Sequence, residues 1–427
     1  MWKKLGSLAA IAACLAFSST AMAQEAAAEC ATRITRTNLV PCALTASLTV
    51  RGEQKTVDAL QGRRTASGLF LPSNPVLTLS GGQRSLTGVP TATNWYATLS
   101  QEIELAGQRA SRLRASDAAI VAQEKRVLLT KRETAVLAWS AFFEALAARE
   151  QQRLTERLLQ TSQRMGVVAR ARAEKGLSAT LDADLADAAS LRLLQIKLAA
   201  DRAVTATNAH LTFLLGRDPS TGVVGVEGDL VPLAGLPDAP SAVAVLAKRP
   251  EVQVADAERN AMLSRAEAFR RSRVPNPIVS VFVQNDGFNE RVYGLGVALP
   301  IPLPAPVGRT YAGEIAEADA LAERAQIDRT RVERELRLEI ADAQATYTAH
   351  RLAVESLTPE RMRRAEDSLR DLQVEIEAGR LGVREALVAQ QTLIELLQTN
   401  IAQRRALCLA SVDLARALGV PLEGGAR

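Results

Sequence analysis

The sequence predicts a mainly α-helical chain with a small β part, built as two tandem structural repeats. Three observations carry that expectation. Nearly the same order of segments occurs twice, about 200 residues apart, from Ser73 to Gly216 and again from Val274 to Gly419. Each copy opens with two stretches of period-two alternation, read as membrane strands, and continues into long helical stretches that return as antiparallel pairs. Aromatic residues make up only 4% of the 427 residues, while Ala, Leu, Arg and Glu dominate, a composition of rods rather than of a compact catalytic core. Four strands cannot close a membrane barrel, which needs about eight or more. If these strands lie in a membrane, several chains must supply one barrel between them.

Residues 1–23 read as a secretory signal, with Lys3 and Lys4 as its positive end, Leu5 to Phe17 as the apolar stretch and Ala21-Met22-Ala23 as the cleavage pattern. A short N-terminal anchor is the alternative, but the apolar run is shorter than the ~20 residues that span a bilayer. No later segment is apolar for that length. An exported chain of this kind is periplasmic, secreted or an outer-membrane β-barrel. Residues 24–72 are an N-terminal segment and first helix, irregular around Cys30, Pro41 and Cys42. Three cysteines remain after cleavage; in an oxidising compartment Cys30 and Cys42 could pair locally or stay unpaired, and Cys408 reads as a packed side chain.

The first repeat, 73–216, holds strands at about 75–83 and 95–105. Ala97, Leu99, Ile103 and Leu105 alternate with Thr98, Ser100, Glu102 and Glu104, giving one apolar and one polar face. In a membrane barrel the apolar row meets lipid, and Thr98, Ser100, Glu102 and Glu104 line the lumen, where the two carboxylates could favour cations, although a solvated polar wall explains them equally well. Gly81 to Arg84 is read as a turn, the stretch to Asn94 as a polar loop, and Trp95 and Tyr96 as interfacial aromatics at the strand entrance. Helices follow at about 108–163, a rod of roughly 80 Å, and 181–215, with an interruption at Gly166 and a hairpin tip at Gly176-Leu177-Ser178. Val136, Trp139, Phe143 and Leu146 form a three-four seam. Residues 217–249, rich in Gly and Pro, are the linker.

The second repeat, 250–419, has strands at about 277–284 and 292–301, joined by the turn Asn285-Asp286-Gly287. Val279, Val281 and Val283 mark one apolar row, and Tyr293, Leu295, Val297, Leu299 and Ile301 another. Its helices run at about 313–377, broken at Thr358-Pro359, and 387–418, with the matching tip at Gly379-Arg380-Leu381-Gly382. The last helix carries two apolar rows, as a rod with neighbours on both flanks requires. Residues 420–427 form a short, loose tail. A soluble hairpin on a plain periplasmic coiled coil, an adaptor-like protein, is the structural alternative; it leaves the lipid-facing strand pattern unexplained.

Chemistry is not indicated. No cofactor or metal site is expected: His210 and His350 each stand alone on a helix, no cysteine spacing resembles a zinc site, and no catalytic carboxylate pair or phosphate-cradling loop is identifiable. The net charge of +5, without an aromatic-interleaved basic patch, gives no case for nucleic acid.

Several pieces resemble the TolC family of outer-membrane efflux proteins, over roughly Asn38 to Pro421. They are Leu71-Pro72-Ser73-Asn74-Pro75-Val76-Leu77, Ser100 to Arg109, Lys248-Arg249-Pro250-Glu251-Val252 and Leu299-Pro300-Ile301-Pro302-Leu303, with Gly379 followed by Leu387-Val388-Ala389-Gln390. The strand-to-helix pieces look most like the heavy-metal cation branch. The resemblance implies a homotrimer, a twelve-stranded outer-membrane barrel continued by a helical tunnel in the periplasm, and a passive export duct loaded by an inner-membrane pump and a periplasmic adaptor. Drug efflux and type I secretion channels share that fold. It also implies that the helical tips, Gly176 to Leu181 and Gly379 to Leu387, dock the adaptor and close the tunnel. The family's Arg-x-Gly-x-x-x-x-Leu tip pattern is matched literally by Arg380, Gly382 and Leu387, although the placement of Ala389 makes Gly379 the equivalent glycine. In the first tip Gly176 and Leu181 have the spacing, with Glu174 in place of arginine.

Overall fold

The elements of the computed structural model run β1 (Arg33–Ile34), α1 (Leu39–Ala46), α2 (Leu48–Ser67), β2 (Val76–Leu86), β3 (Val89–Glu102), α3 (Gln108–Glu174), α4 (Thr180–Leu214), a 3-10 turn (Pro219–Thr221), β4 (Gly225–Val226), α5 (Pro250–Ser272), β5 (Ile278–Asn285), β6 (Arg291–Ala298), α6 (Ala312–Ser356), α7 (Pro359–Glu377) and α8 (Val383–Leu418). The structure describes residues 33–237, 245–246, 248–287, 290–303, 307–308 and 310–422. The expected leader, 1–23, and Cys30 lie outside the described residues. No described helix is long and apolar enough to cross a membrane. The chain divides into two units: Arg51–Leu129 with Ala247–Arg334, and Met1–Val50 with Thr130–Leu246 and Glu335–Arg427.

The first unit carries a four-stranded antiparallel sheet in the order β2-β3-β5-β6. Its register sorts the alternating residues onto two faces. Leu77, Leu99, Val281 and Leu295 lie in one row, and Leu79, Ala97, Val283 and Tyr293 in the next. The opposite face holds Thr78, Thr98, Phe282 and Gly294, then Val76, Ser100, Ser280 and Gly296. The Tyr96 and Phe282 rings stand 5.8 Å apart on that polar face. A Cβ at Gly294 would collide with the Phe282 ring, so glycine is required opposite it. β2 and β6 are the two edges.

Three strand expectations change. The segment 89–94, read as a loop, is the first half of β3 and pairs with Gly82 to Leu86; the turn is Thr87-Gly88, with Gly88 at φ 87°. Gly81 and Gly82 remain extended opposite Trp95 and Asn94, which puts Trp95 and Tyr96 mid-strand. β3 stops at Glu102 and β6 at Ala298, short of 105 and 301, because Pro277 is the last partner of the β3 end and Pro300 and Pro302 have no N–H to donate. One helix went unread: α5, which begins with Pro250 in the first turn and Glu251 at its positive end, with Arg249 buried and donating to the Glu251 carboxylate at 2.9 and 3.0 Å.

The second unit is helical around an aromatic core. Trp139, Phe142 and Phe143 pack together at centroid separations of 5.5–6.0 Å, with Val136 and Leu146 of the same seam buried beside them. β1 pairs in parallel with β4, so the N-terminal segment straps the linker. Arg36 lies 5.7 Å from the Trp139 ring and donates to Val231 O at 2.7 Å. Leu422 is buried, and its carbonyl accepts from Trp139 Nε1 at 3.1 Å, so the tail begins as part of the core and is not loose there. The segment expected to be irregular around Pro41 is helix α1; proline in a first turn removes an N–H that has no intrahelical partner. α3 runs unbroken through Gly166. A single glycine inside a helix costs about 1 kcal/mol, too little to break one packed against its neighbours along this length. The break at Thr358-Pro359 is present, with the Thr358 hydroxyl accepting from Arg361 N. Leu154, Leu158, Leu193, Leu369, Ile394 and Leu397 knit α3, α4, α7 and α8 together.

Candidate functional site

The residues singled out in the sequence gather at two places, one in each unit. The first is the junction where β3 passes into α3. Gly107, at φ 73°, turns the chain there. Gln108 is buried: its Oε1 accepts from Ala106 N at 2.8 Å, and its Nε2 donates to Asn276 Oδ1 at 2.8 Å and Val274 O at 3.2 Å. Asn276 in turn donates to Glu102 Oε1 at 2.7 Å, and Ser73 Oγ donates to Glu102 Oε2 at 3.3 Å. Ile103 N reaches Pro277 O at 2.9 Å. The start of the second repeat is thus tied to the end of the first repeat's strand.

Thr98, Ser100 and Glu102 share the polar face of the sheet, as their spacing requires. Glu104 does not join them. It lies beyond the strand, its side chain 7% exposed, ion-paired with Arg112. α3 has no acid in its first turn, so Glu104 supplies the negative charge that a helix N-terminus attracts. Both carboxylates are therefore engaged in the junction. The polar face above them carries neutral side chains around Thr98, Ser100 and Ser280.

The second place is the pair of tips. Gly176 and Gly379 have φ 68° and 72°. Each closes its helix the same way: Gly176 N bonds Ala173 O and Leu177 N bonds Arg172 O, while Gly379 N bonds Ile376 O and Arg380 N bonds Glu375 O. Three residues on, Ala179 and Gly382 cap α4 and α8 with nearly the same backbone angles. The tips therefore match position for position from Gly176 and Gly379. In that alignment Leu181 corresponds to Arg384, and Leu387, in α8, corresponds to Asp184. Gly382 is a helix N-cap, and its literal match to the Arg-x-Gly pattern does not make it the partner of Gly176.

The tips touch. Arg384 Nε donates to Asp182 Oδ1 at 2.9 Å, and Arg172 to Ile376 O at 2.8 Å. Met165, Ala169, Ala186, Ile376, Val383 and Ala386 form a small buried cluster, with Leu387 packed on its side. Arg380 holds Glu375 by two bonds of 2.7 Å, and this hydrogen bonding keeps the Glu375 carboxyl below its ordinary range. Leu177 and Leu181 are exposed. Sequence reasoning missed Asp182, Arg384, Asn276 and Arg112. The repeated Asn-Pro of Asn74-Pro75 and Asn276-Pro277 was the available signal for Asn276. His350 Nδ1 lies 3.2 Å from Gln403 Oε1, and among the described residues no group of three or more His, Cys, Asp or Glu could hold a metal ion.

No family model matches the chain. It is 29% identical over 249 residues, 58% of this chain and 54% of the relative, to the nickel-cobalt-cadmium resistance protein NccC of Alcaligenes xylosoxydans xylosoxydans. It is also 29% identical over 227 residues, 52% of each, to the nickel and cobalt resistance protein CnrC of Cupriavidus metallidurans. The chain spans about half the length of the curated relatives it matches. Among solved structures it is similar to CusC (TM-score 0.73, 16% identity, covering 89% of this chain and 91% of that one). It is similar to the CmeC outer membrane channel of Campylobacter jejuni (0.75, 13%, 91% and 85%) and to the outer membrane protein VceC of Vibrio cholerae (0.72, 17%, 89% and 95%). The chain therefore shares the fold of these outer-membrane channel proteins. At the level of the fold, the resemblance to TolC-family efflux channels read from the sequence is borne out.

Proposed function

We propose that three copies of this chain form a twelve-stranded barrel in the outer membrane, continued into the periplasm by a helical tunnel. It is a passive duct for divalent transition-metal cations delivered by an inner-membrane pump through a periplasmic adaptor. The observation that carries this reading is the sheet: four strands, apolar on one face and polar on the other, with open edges at β2 and β6. An exposed apolar sheet with two open edges is an aggregation hazard in water, and lipid on one face with edge-to-edge pairing of copies removes it. The metal assignment rests on the names of the two relatives. A duct that passes hydrated ions does not need to ligate them. We further propose that Gly176, Leu181, Gly379, Arg380, Gly382 and Leu387 mark the surface that docks the adaptor and gates the tunnel. The test is conductance of the purified protein in planar bilayers together with nickel, cobalt and cadmium tolerance of cells carrying or lacking it. A conducting species and chain-dependent tolerance are expected. A conducting protein whose loss alters drug tolerance alone would shift the substrate to drugs.

A further inference from the structure

We propose that the level where the sheet meets the helices is a phospholipid-binding collar, in which Arg63, Arg109, Arg114 and Arg273 hold the phosphates of inner-leaflet phospholipids. This rests on the membrane reading of the sheet. The apolar face does not end with the strands. Leu105 and Ile301 keep its alternation just past the strands, and Leu69 and Phe70 stand between α2 and β2; all four are exposed, with Phe70 81% and Ile301 80% exposed.

Next to the strands, within about two helical turns, several helix ends pack together. Ser116 Oγ, in the third turn of α3, donates to Ser67 Oγ at the end of α2 at 3.0 Å, and Gln108, at the start of α3, reaches Val274 O just past α5. Arg273 Nε donates to Thr310 O, just before α6, at 3.0 Å. This level is rich in arginine. Some are neutralised within the chain, as Arg112 is by Glu104 and Arg270 by Asp319. Arg63, Arg109, Arg114 and Arg273 are exposed and have no acidic partner among the described residues; Arg109 spends only its Nε, on Gly68 O at 2.9 Å.

Arg109 stands in the first turn of α3, where the helix dipole disfavours cations, and Arg112, just past that turn, is already offset by Glu104. An external anion offsets the rest. Apolar side chains followed at once by arginines reproduce the order of hydrocarbon and headgroup phosphate, with the guanidinium groups reaching the phosphates from their apolar stems. The hairpin turn Thr87-Gly88 lies at the opposite end of the strands. The collar is therefore on the helical, periplasmic side, where the leaflet is phospholipid, and not on the lipopolysaccharide side.

The test reconstitutes the full mature protein into phosphatidylcholine nanodiscs with and without phosphatidylglycerol. After extraction in mild detergent, the phosphatidylglycerol retained per assembly is counted by native mass spectrometry. Wild type is expected to retain it, and replacing all four arginines with glutamine to lower retention about fivefold for each arginine removed, at unchanged oligomeric mass, while Arg→Lys versions keep it. Equal retention by the glutamine variant overturns the collar. If that variant fails to assemble, wild type decides: phosphates held at this surface are lost in high salt, and salt-insensitive retention overturns the proposal. A wild-type protein that stays out of the nanodisc overturns the membrane reading as well, which separates the two failures.

Discussion

The aromatic core and the four-stranded sheet are both rich in apolar residues and finish differently. Around Trp139, side chains from β1, α1, α3, α4, the linker, α8 and the tail close over one another, and Phe142 and Phe143 are fully buried. In the sheet, Leu77, Leu79, Tyr293, Leu295 and Val297 remain exposed. The same hydrophobic effect acts on both. One region satisfies it within the chain; the other leaves its apolar face and two strand edges uncovered by the chain itself, and the proposed barrel would cover both.

The largest effect that sharpens this contrast is expected from Trp139→Ala. It removes the ring pairs, the Arg36 contact and the bond to Leu422 O, and should cost about 3–5 kcal/mol, read as a lowered denaturation midpoint of the helical unit. Leu295→Arg is the counterpart on the sheet. It should leave helicity and helical stability unchanged while costing about 2–4 kcal/mol at the bilayer midplane, read as loss of the membrane-inserted fraction. A soluble-state destabilisation by this variant comparable to that of Trp139→Ala would break the comparison.

Gly379→Val forces a β-branched residue into φ 72° and against Arg172, a strain of about 1–2 kcal/mol. Native mass should persist and metal tolerance fall; full tolerance would count against the tip as the docking and gating surface. Cys408, buried with its thiol pushed up to about 12 chiefly by desolvation, should resist thiol reagents at mildly alkaline pH until the core unfolds. The smallest effect is at the second tip. Because the folded Glu375 carboxyl titrates below its unfolded value, its contribution is present above the ordinary carboxylate range and is lost as pH falls through the folded value. Exchange of the tip amides should therefore quicken only in acid, and Arg380→Gln should abolish that dependence.

How much was legible in the sequence follows from which forces are local. The seam through Val136, Trp139, Phe143 and Leu146, the break at Thr358-Pro359 and the alternating rows of the strands are set by periodicity and backbone chemistry, which a sequence displays. The length of β3 was not legible, because Gly81 and Gly82 look like a turn until a partner strand holds them extended. Gly166 was misread because one glycine, at about 1 kcal/mol, does not interrupt a helix held by packing on both sides of it. Glu104 kept the period of the strand but belongs to Arg112, an association decided by where the chain turns at Gly107. At the tips, the spacing of Leu181 and Leu387 from nearby glycines was visible, while the correspondence of Gly176 with Gly379 emerges from their shared φ and hydrogen bonds.

The most direct test of the shared barrel is the native mass of the mature protein extracted from outer membranes in mild detergent. The account predicts a mass of three chains, stable until the detergent is made denaturing. A water-soluble monomer recovered without detergent would contradict it and return the chain to a periplasmic coiled coil with an unexplained apolar sheet.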